Sequence, residues 1–224
     1  MESEIEGICP TVAAELTEDS ILTWNGENVP MNFDGWYVDK AIVTVPMPAL
    51  KKGDNILEVD MPFGKTSNTE WFYLLGEFGV RVEKNASTLV QKPEKLTCGD
   101  LGEQGYPFYG GKIFYETEIK TRGDAVLTFP SFGGTFVKAY ADGKEMGIAA
   151  YPPHRIAIKG LEAGAHSLTL ELCLPRTNSF GPVHFASGAD SYLSPNTYRT
   201  TGESWSDAYT LAKQGLLEAP VVEE

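Results

Sequence analysis

The stretches "LKKGDNILEVDM" (Leu50–Met61) and "LEAGAHSLTLEL" (Leu161–Leu172) decide how this chain is read. Each runs as a leucine, a short charged spacer, a glycine, two small or polar residues, and then an alternating apolar run. Alternation at a period of two marks a strand with one face on a core and one in water. A glycine just before such a strand permits a positive φ and a tight turn, and the leucine ahead of it plugs the end of a sandwich. The phrase is a structural device, and its return about a hundred residues further on predicts a duplicated architecture.

The flanking sequence widens the repeat. Before the first phrase stands "TWNGENVPMNFDGWYVDKAIVTV" (Thr23–Val45), and before the second stands "YADGKEMGIAAYPPHRIAIKG" (Tyr140–Gly160). Both order the same parts: a strand end, an Asn/Asp-Gly turn, a short apolar return, an aromatic-containing loop and another strand. Gly26 and Gly53 are 27 residues apart, whereas Gly143 and Gly164 are 21 apart, so the second copy has the shorter middle. Other alternating runs are Phe78–Glu83, Lys112–Ile119, Ala125–Phe129, Thr135–Tyr140 and Arg155–Lys159. Long amphipathic helices are absent, and the only helix-like candidates are brief stretches around Thr11–Glu18 and Asp207–Lys213. The polar, proline-interrupted stretch Glu83–Asp100 reads as the link between copies. The expectation is an all-β protein of two tandem antiparallel sandwiches, at 1–88 and 89–224.

Composition narrows the function classes. Hydrophobic residues make up 42% and charged residues 22%, values of an ordinary globular chain. A net charge of −13 argues against nucleic acid and anionic lipid as partners. Cys9, Cys98 and Cys173 are odd in number and far apart, which leaves no disulfide framework and no metal clip. No apolar run has the length of a membrane span, and Met1–Pro10 does not read as a signal peptide, so the expectation leans toward a cytoplasmic protein.

Several segments resemble the galactose-binding-like, jelly-roll modules of bacterial glycoside hydrolases of the family-2-like and rhamnosidase-like kinds. They are "NGENV", "GWYVDKAIVTVPMPALKKGDNILEVDM", "EWFYLLGEFGV", "QGYPFYGGKIFYETEI", "YADGKEMG", "PPHRIAIKGLEAGAHSLTLEL", "FGPVH" and "WSDAYTLAKQGLLEAP". The resemblance implies a non-catalytic C-terminal module that supports the catalytic domain of the same longer chain. A jelly roll needs about eight strands, and residues 1–85 show five or six clear ones. The first copy therefore reads as incomplete at its N-terminus, unless the second domain or another subunit lends strands.

Binding a sugar requires flat rings against a pyranose face and side chains that bond hydroxyls. Trp36 and Tyr37 in "DGWYVD", with carboxylates alongside, Trp71 in "EWFY", and Tyr106 and Tyr109 in "GYPFYGG" meet that description. His154 and Arg155 in "YPPHR" and His184 after "FGPV" complete the candidate carbohydrate-binding set, for which buried packing is the competing account. Hydrolysis would instead need two carboxylates across a cleft, with Glu70, Glu77, Glu103 and Asp207 the acids to inspect and Glu70 with Glu103 the suggested pair. No HExxH, calcium-loop or nucleophile-elbow pattern occurs, so no cofactor, metal or catalytic residue is assigned. His166, just after a turn, is expected to be exposed. Two alternatives stand beside the module reading: a hydrolase in its own right, and a purely structural or protein-interaction sandwich.

Overall fold

The computed structural model describes residues 1–65, 71–186, 195–198 and 200–224. The chain divides into two compact units, one of Met1–Val80 with Ser87–Lys92, the other of Arg81–Ala86 with Pro93–Glu224. The protein is all-β, and its sheets are antiparallel except where its first strand runs parallel to Ala86–Val90.

The first unit is built from β1 (Glu2–Ser3), β2 (Thr11–Ala14), β3 (Ile21–Trp24), β4 (Glu27–Val29), β5 (Gly35–Tyr37), β6 (Asp39–Pro46), β7 (Gly53–Asp54), β8 (Leu57–Asp60) and β9 (Tyr73–Leu75). The hairpin of β10 (Gly79–Glu83) and β11 (Ala86–Val90) completes a sheet ordered β10-β11-β1-β7. Two further sheets, β5-β6-β2-β9 and β4-β3-β8, hold the core between them. Val12, Ala14 and Val45 come from the one, Leu22, Trp24 and Val29 from the other, and all are buried.

The second unit carries β12 (Lys112–Thr121), β13 (Ala125–Thr128), β14 (Phe136–Ala141), β15 (Lys144–Ala149), β16 (Arg155–Ile158), β17 (Gly164–Cys173) and β18 (Val221–Glu223). Its sheets are β12-β17-β14-β15 and β16-β13-β18. Ile113, Val137, Ala139, Leu168, Leu170 and Leu172 from the first sheet meet Leu127, Ile156 and Ile158 from the second.

The repeated phrases occupy the same place in both units. β8 pairs antiparallel with β3 and β17 with β14, at matching register: Leu22 faces Val59 and Trp24 faces Leu57, as Ala139 faces Leu170 and Ala141 faces Leu168. The neighbouring strands also match, with the order β4-β3-β8 echoed in β15-β14-β17 and β6-β2-β9 in β16-β13-β18. Each copy turns on a left-handed pair, Asn25 (φ 53°) with Gly26 (φ 87°) and Asp142 (φ 47°) with Gly143 (φ 75°), the geometry of a two-residue hairpin. In each, the turn side chain accepts a bond from the phrase: Ile56 N–H to Asn25 Oδ1 at 3.0 Å, and Ser167 N–H to Asp142 Oδ1 at 2.9 Å. The phrase glycines differ, since Gly53 is left-handed (φ 90°) and Gly164 is near extended (φ 159°).

Some local expectations are overturned. Thr11–Ala14 is a central strand and not a helix, because β6 and β9 pair with it on both sides and bury its alanines. Around Asp207–Lys213 the backbone spends its donors on distant partners, Tyr209 on Lys84 O and Thr210 on Val183 O, so no helical ladder forms. The one short α-helix among the described residues, α1 (Thr177–Phe180), had no sequence signal of its own. Within the expected link, Ala86–Val90 is a paired strand. The described residues of 1–85 supply ten strands where five or six were legible, the extra ones being mostly two to four residues long.

Candidate functional site

In the first unit a cleft of about 370 Å³ opens on the face of the β5-β6-β2-β9 sheet that points away from the core. Side-chain alternation explains its composition: Val12 and Val45 turn inward, so Thr11 and Thr44 turn out to line it. β5 contributes Gly35 and Trp36, the chain before it Asp34, and the loop after β9 Gly76 and Glu77. Trp36 is 56% exposed, a large flat apolar surface kept in water.

Two hydrogen bonds order one wall. Thr44 Oγ1 donates to Asp34 Oδ1 at 2.6 Å, and Asp34 N–H donates to Thr44 O at 3.1 Å. Gly35 makes room for the first, since a Cβ there would stand 3.2 Å from Thr44 Oγ1. On the opposite wall Glu77 pairs with Lys92. Just after Trp36, Val38 holds a left-handed φ of 66°, which a β-branched residue adopts only under constraint from its surroundings. It reverses the chain from β5 into β6 and so fixes Trp36 at the rim.

Of the residues anticipated from sequence, Trp36 lies in this cleft. Tyr37 is half-buried, its ring 5.5 Å from that of Tyr73. Trp71 is 44% exposed and does not line the cleft. In the second unit Tyr106 and Tyr109 meet edge to face at 5.9 Å. Their loop is tied down by α1, where Asn178 Nδ2 donates to Pro107 O and Ser179 Oγ donates to Phe108 O. His154 packs edge-on against Phe132 at 4.9 Å. Arg155 spans its sheet, donating to Thr128 Oγ1 at 3.1 Å and Glu223 Oε2 at 2.9 Å. His184 is sandwiched with Trp205 at 4.8 Å and Tyr209 at 4.4 Å, and its Nδ1 meets Ser206 O at 3.1 Å.

Among the acids, Glu70 lies outside the described residues, and Glu103 is exposed on a turn. Asp207 accepts from Trp205 Nε1 at 2.8 Å. His166 is not exposed: its side chain is 13% accessible, Nδ1 sits 2.7 Å from Asp142 Oδ2 and Nε2 2.9 Å from Glu162 O. Of the residues lining the cleft, the sequence had singled out Trp36, with Asp34 alongside, and Glu77, but not Thr11 and Thr44. Their only signal was the outward phase of an alternating strand.

No protein-family model matches the chain, and no curated protein matches it. Among solved structures it is similar to a rhamnosidase from Novosphingobium sp. PP1Y, at 16% identity and TM-score 0.38, over 99% of this chain and 22% of that one. It is also similar to a GH2 beta-galacturonidase from Eisenbergiella tayi bound to glycerol, at 22% identity and TM-score 0.35, over 66% of this chain and 22% of that one. The same enzyme bound to galacturonate gives 22% identity and TM-score 0.35, over 66% of this chain and 23% of that one. The chain thus spans about a fifth of the length of the structures it matches. No helix among the described residues is long and apolar enough to cross a membrane.

Proposed function

We propose that this chain is a non-catalytic, carbohydrate-associated module of a larger glycoside hydrolase, made of two tandem galactose-binding-like sandwiches, and that the Trp36 cleft holds a neutral sugar. The observation that carries this reading is the exposed indole of Trp36 beside a hydroxyl–carboxylate pair, Thr44 with Asp34, in a cleft of about 370 Å³. That volume lies within the range of small-ligand sites. A pyranose presents an apolar face for the ring to cover and hydroxyls for Asp34 and Glu77 to accept from. The acids of the cleft and the net charge of −13 disfavour uronates and sugar phosphates. The kinship with hydrolases rests on the sequence segments that resemble such modules, and the catalytic domain of the same longer chain is the partner it implies.

Asp34 and Glu77 each already serve a neighbour, Thr44 and Lys92, and among the described residues no further acid lines the cleft. Support is therefore stronger for holding a sugar than for cleaving one. The test is a calorimetric titration with neutral mono- and disaccharides. Trp36→Ala is expected to weaken binding about tenfold, the equivalent of roughly 1.4 kcal/mol, while His184→Ala leaves it unchanged. Absence of binding by the intact chain, or equal binding by the Trp36 variant, overturns the reading. Turnover of chromogenic glycosides that is lost on Glu77→Gln would replace it with a hydrolase.

A further inference from the structure

Of the four arginines among the described residues, Arg81, Arg122 and Arg155 each pair with a glutamate, whereas Arg176, in the second unit, has no acid partner there. An exposed guanidinium left without an acid, in a chain of net charge −13, is a place where an anion can bind. Its base is nonetheless held. The Arg176 carbonyl accepts from Phe180 N–H at 2.8 Å and from Ser179 N–H at 3.1 Å, and the guanidinium carbon stands 6.0 Å from the centre of the Phe180 ring. Ser179 Oγ in turn donates to Phe108 O at 2.6 Å, which ties the loop 106–111 alongside. Gly110 lets that loop come close, since a Cβ there would lie 3.2 Å from Arg176 Cγ.

Two flat rings accompany the cation. Tyr109, next to Gly110 in the chain, is 41% exposed, and its hydroxyl donates to Lys112 O at 3.3 Å. A Cβ on Gly111 would collide with that hydroxyl, so a glycine is needed for the ring to sit there. Tyr198 is 43% exposed, and its hydroxyl donates to Phe180 O at 3.1 Å, the residue whose ring carries the guanidinium. Both tyrosines are therefore anchored at their polar ends and keep apolar ring surface in water. Tyr106 of the same loop packs against the core, and Tyr109 does not belong to it.

We infer that Arg176, Tyr109 and Tyr198 form a binding site for a carboxylate-bearing saccharide, a uronic-acid residue of a glycan. The planar guanidinium donates two parallel N–H bonds to the planar carboxylate, and a tyrosine face covers the C–H face of the pyranose. A phosphate monoester fits less well, because it brings a second charge and the neighbouring cation, Lys112, is already engaged by Glu171 at 2.6 Å. The net charge of the chain does not decide the matter here, since at physiological salt exposed charges beyond about 8 Å are largely screened. The inference is independent of the Trp36 cleft, whose own acids repel the same ligand.

The test is an NMR titration of the intact chain with methyl β-glucuronide, with acetate and inorganic sulfate as comparison ligands. The glucuronide is expected to move the amide signals of Gly110 and Phe180 and to bind at least about tenfold more tightly than acetate, which lacks a ring for the tyrosines to cover. Arg176→Gln should lose at least about tenfold in affinity, and Arg176→Lys should also weaken it, because a point charge cannot make the two parallel bonds. Trp36→Ala should leave glucuronide binding unchanged, which separates this site from the cleft. Arg176 is exposed, so neither substitution should alter the melting of the second unit. No shift at about 10 mM glucuronide, equal binding by either Arg176 variant, or loss of binding in Trp36→Ala overturns the inference. Acetate or sulfate binding as tightly as the glucuronide also overturns it, in favour of a general anion site.

Discussion

The same turn is tied to the same strand in both units, but with different chemistry. In the first, Asn25 Nδ2 donates to Asn55 Oδ1 at 3.3 Å; in the second, at the matching positions, Asp142 meets His166 at 2.7 Å. Asn55 is fully buried and also closes its own loop, donating to Lys51 O at 2.7 Å and accepting from Lys51 N–H at 3.0 Å. His166 has an oxygen acceptor at each ring nitrogen, an arrangement that suits the imidazolium. One backbone geometry is thus compatible with a neutral amide tie or with a charged one. The choice moves the cost of breaking it from lost buried hydrogen bonds to a dependence on pH.

The sharpest way to break this comparison is through the cores. Leu170→Ala removes a buried side chain flanked by two strands and is expected to cost about 3 kcal/mol. Its counterpart Val59→Ala, half-buried and with β3 as the one strand beside it among the described residues, should cost about 1 kcal/mol. Denaturant melts separate them, with Trp24, Trp36 and Trp71 reporting on the first unit and Trp205 on the second. Equal costs would mean that Val59 is packed as closely as Leu170. Next in size, Asn55→Ala strands the Lys51 backbone groups and should destabilise the first unit by about 2 kcal/mol.

The smallest effect is the pH dependence of the second tie. The hydrogen bond to Asp142 raises His166 above its ordinary 6.5, so its contribution is complete below pH 6.5 and is lost as pH rises through the folded value. The bond from His166 lowers Asp142 below its ordinary 3.8, so that contribution is present above pH 3.8 and is lost on further acidification. The tie is therefore strongest between about pH 4 and 6.5. NMR titration of the His166 ring should show a raised midpoint that returns toward 6.5 in Asp142→Asn. The Asn25–Asn55 tie should show no such slope.

The repeat was legible because its signals are local. Asn25-Gly26 and Asp142-Gly143 each need only a dipeptide, and the run from Leu168 to Leu174 states its own period. Thr11–Ala14 was misread because alanine's helical preference is set aside once strands pair on both sides of it. The cleft draws on residues from Ile8 to Glu77 across four strands, so no window of sequence contains it. Arg155 illustrates the same limit, since its partner Glu223 is 68 positions away. The aromatics of "DGWYVD", read as a loop, lie on strand β5. Nor did the sequence reveal that His184 turns its ring against Tyr209 while Trp36 turns out to water.

β13 pairs along one side with β16, close by in sequence, and along the other with Val221–Glu223. During vectorial synthesis that second side stays bare until nearly a hundred further residues have left the ribosome, as the Thr128–Glu223 contact, 95 positions long, requires. The second sandwich consequently finishes late. Until then Leu127 and Thr128 present an unfinished sheet margin, the interval in which a nascent chain of this design most needs a chaperone.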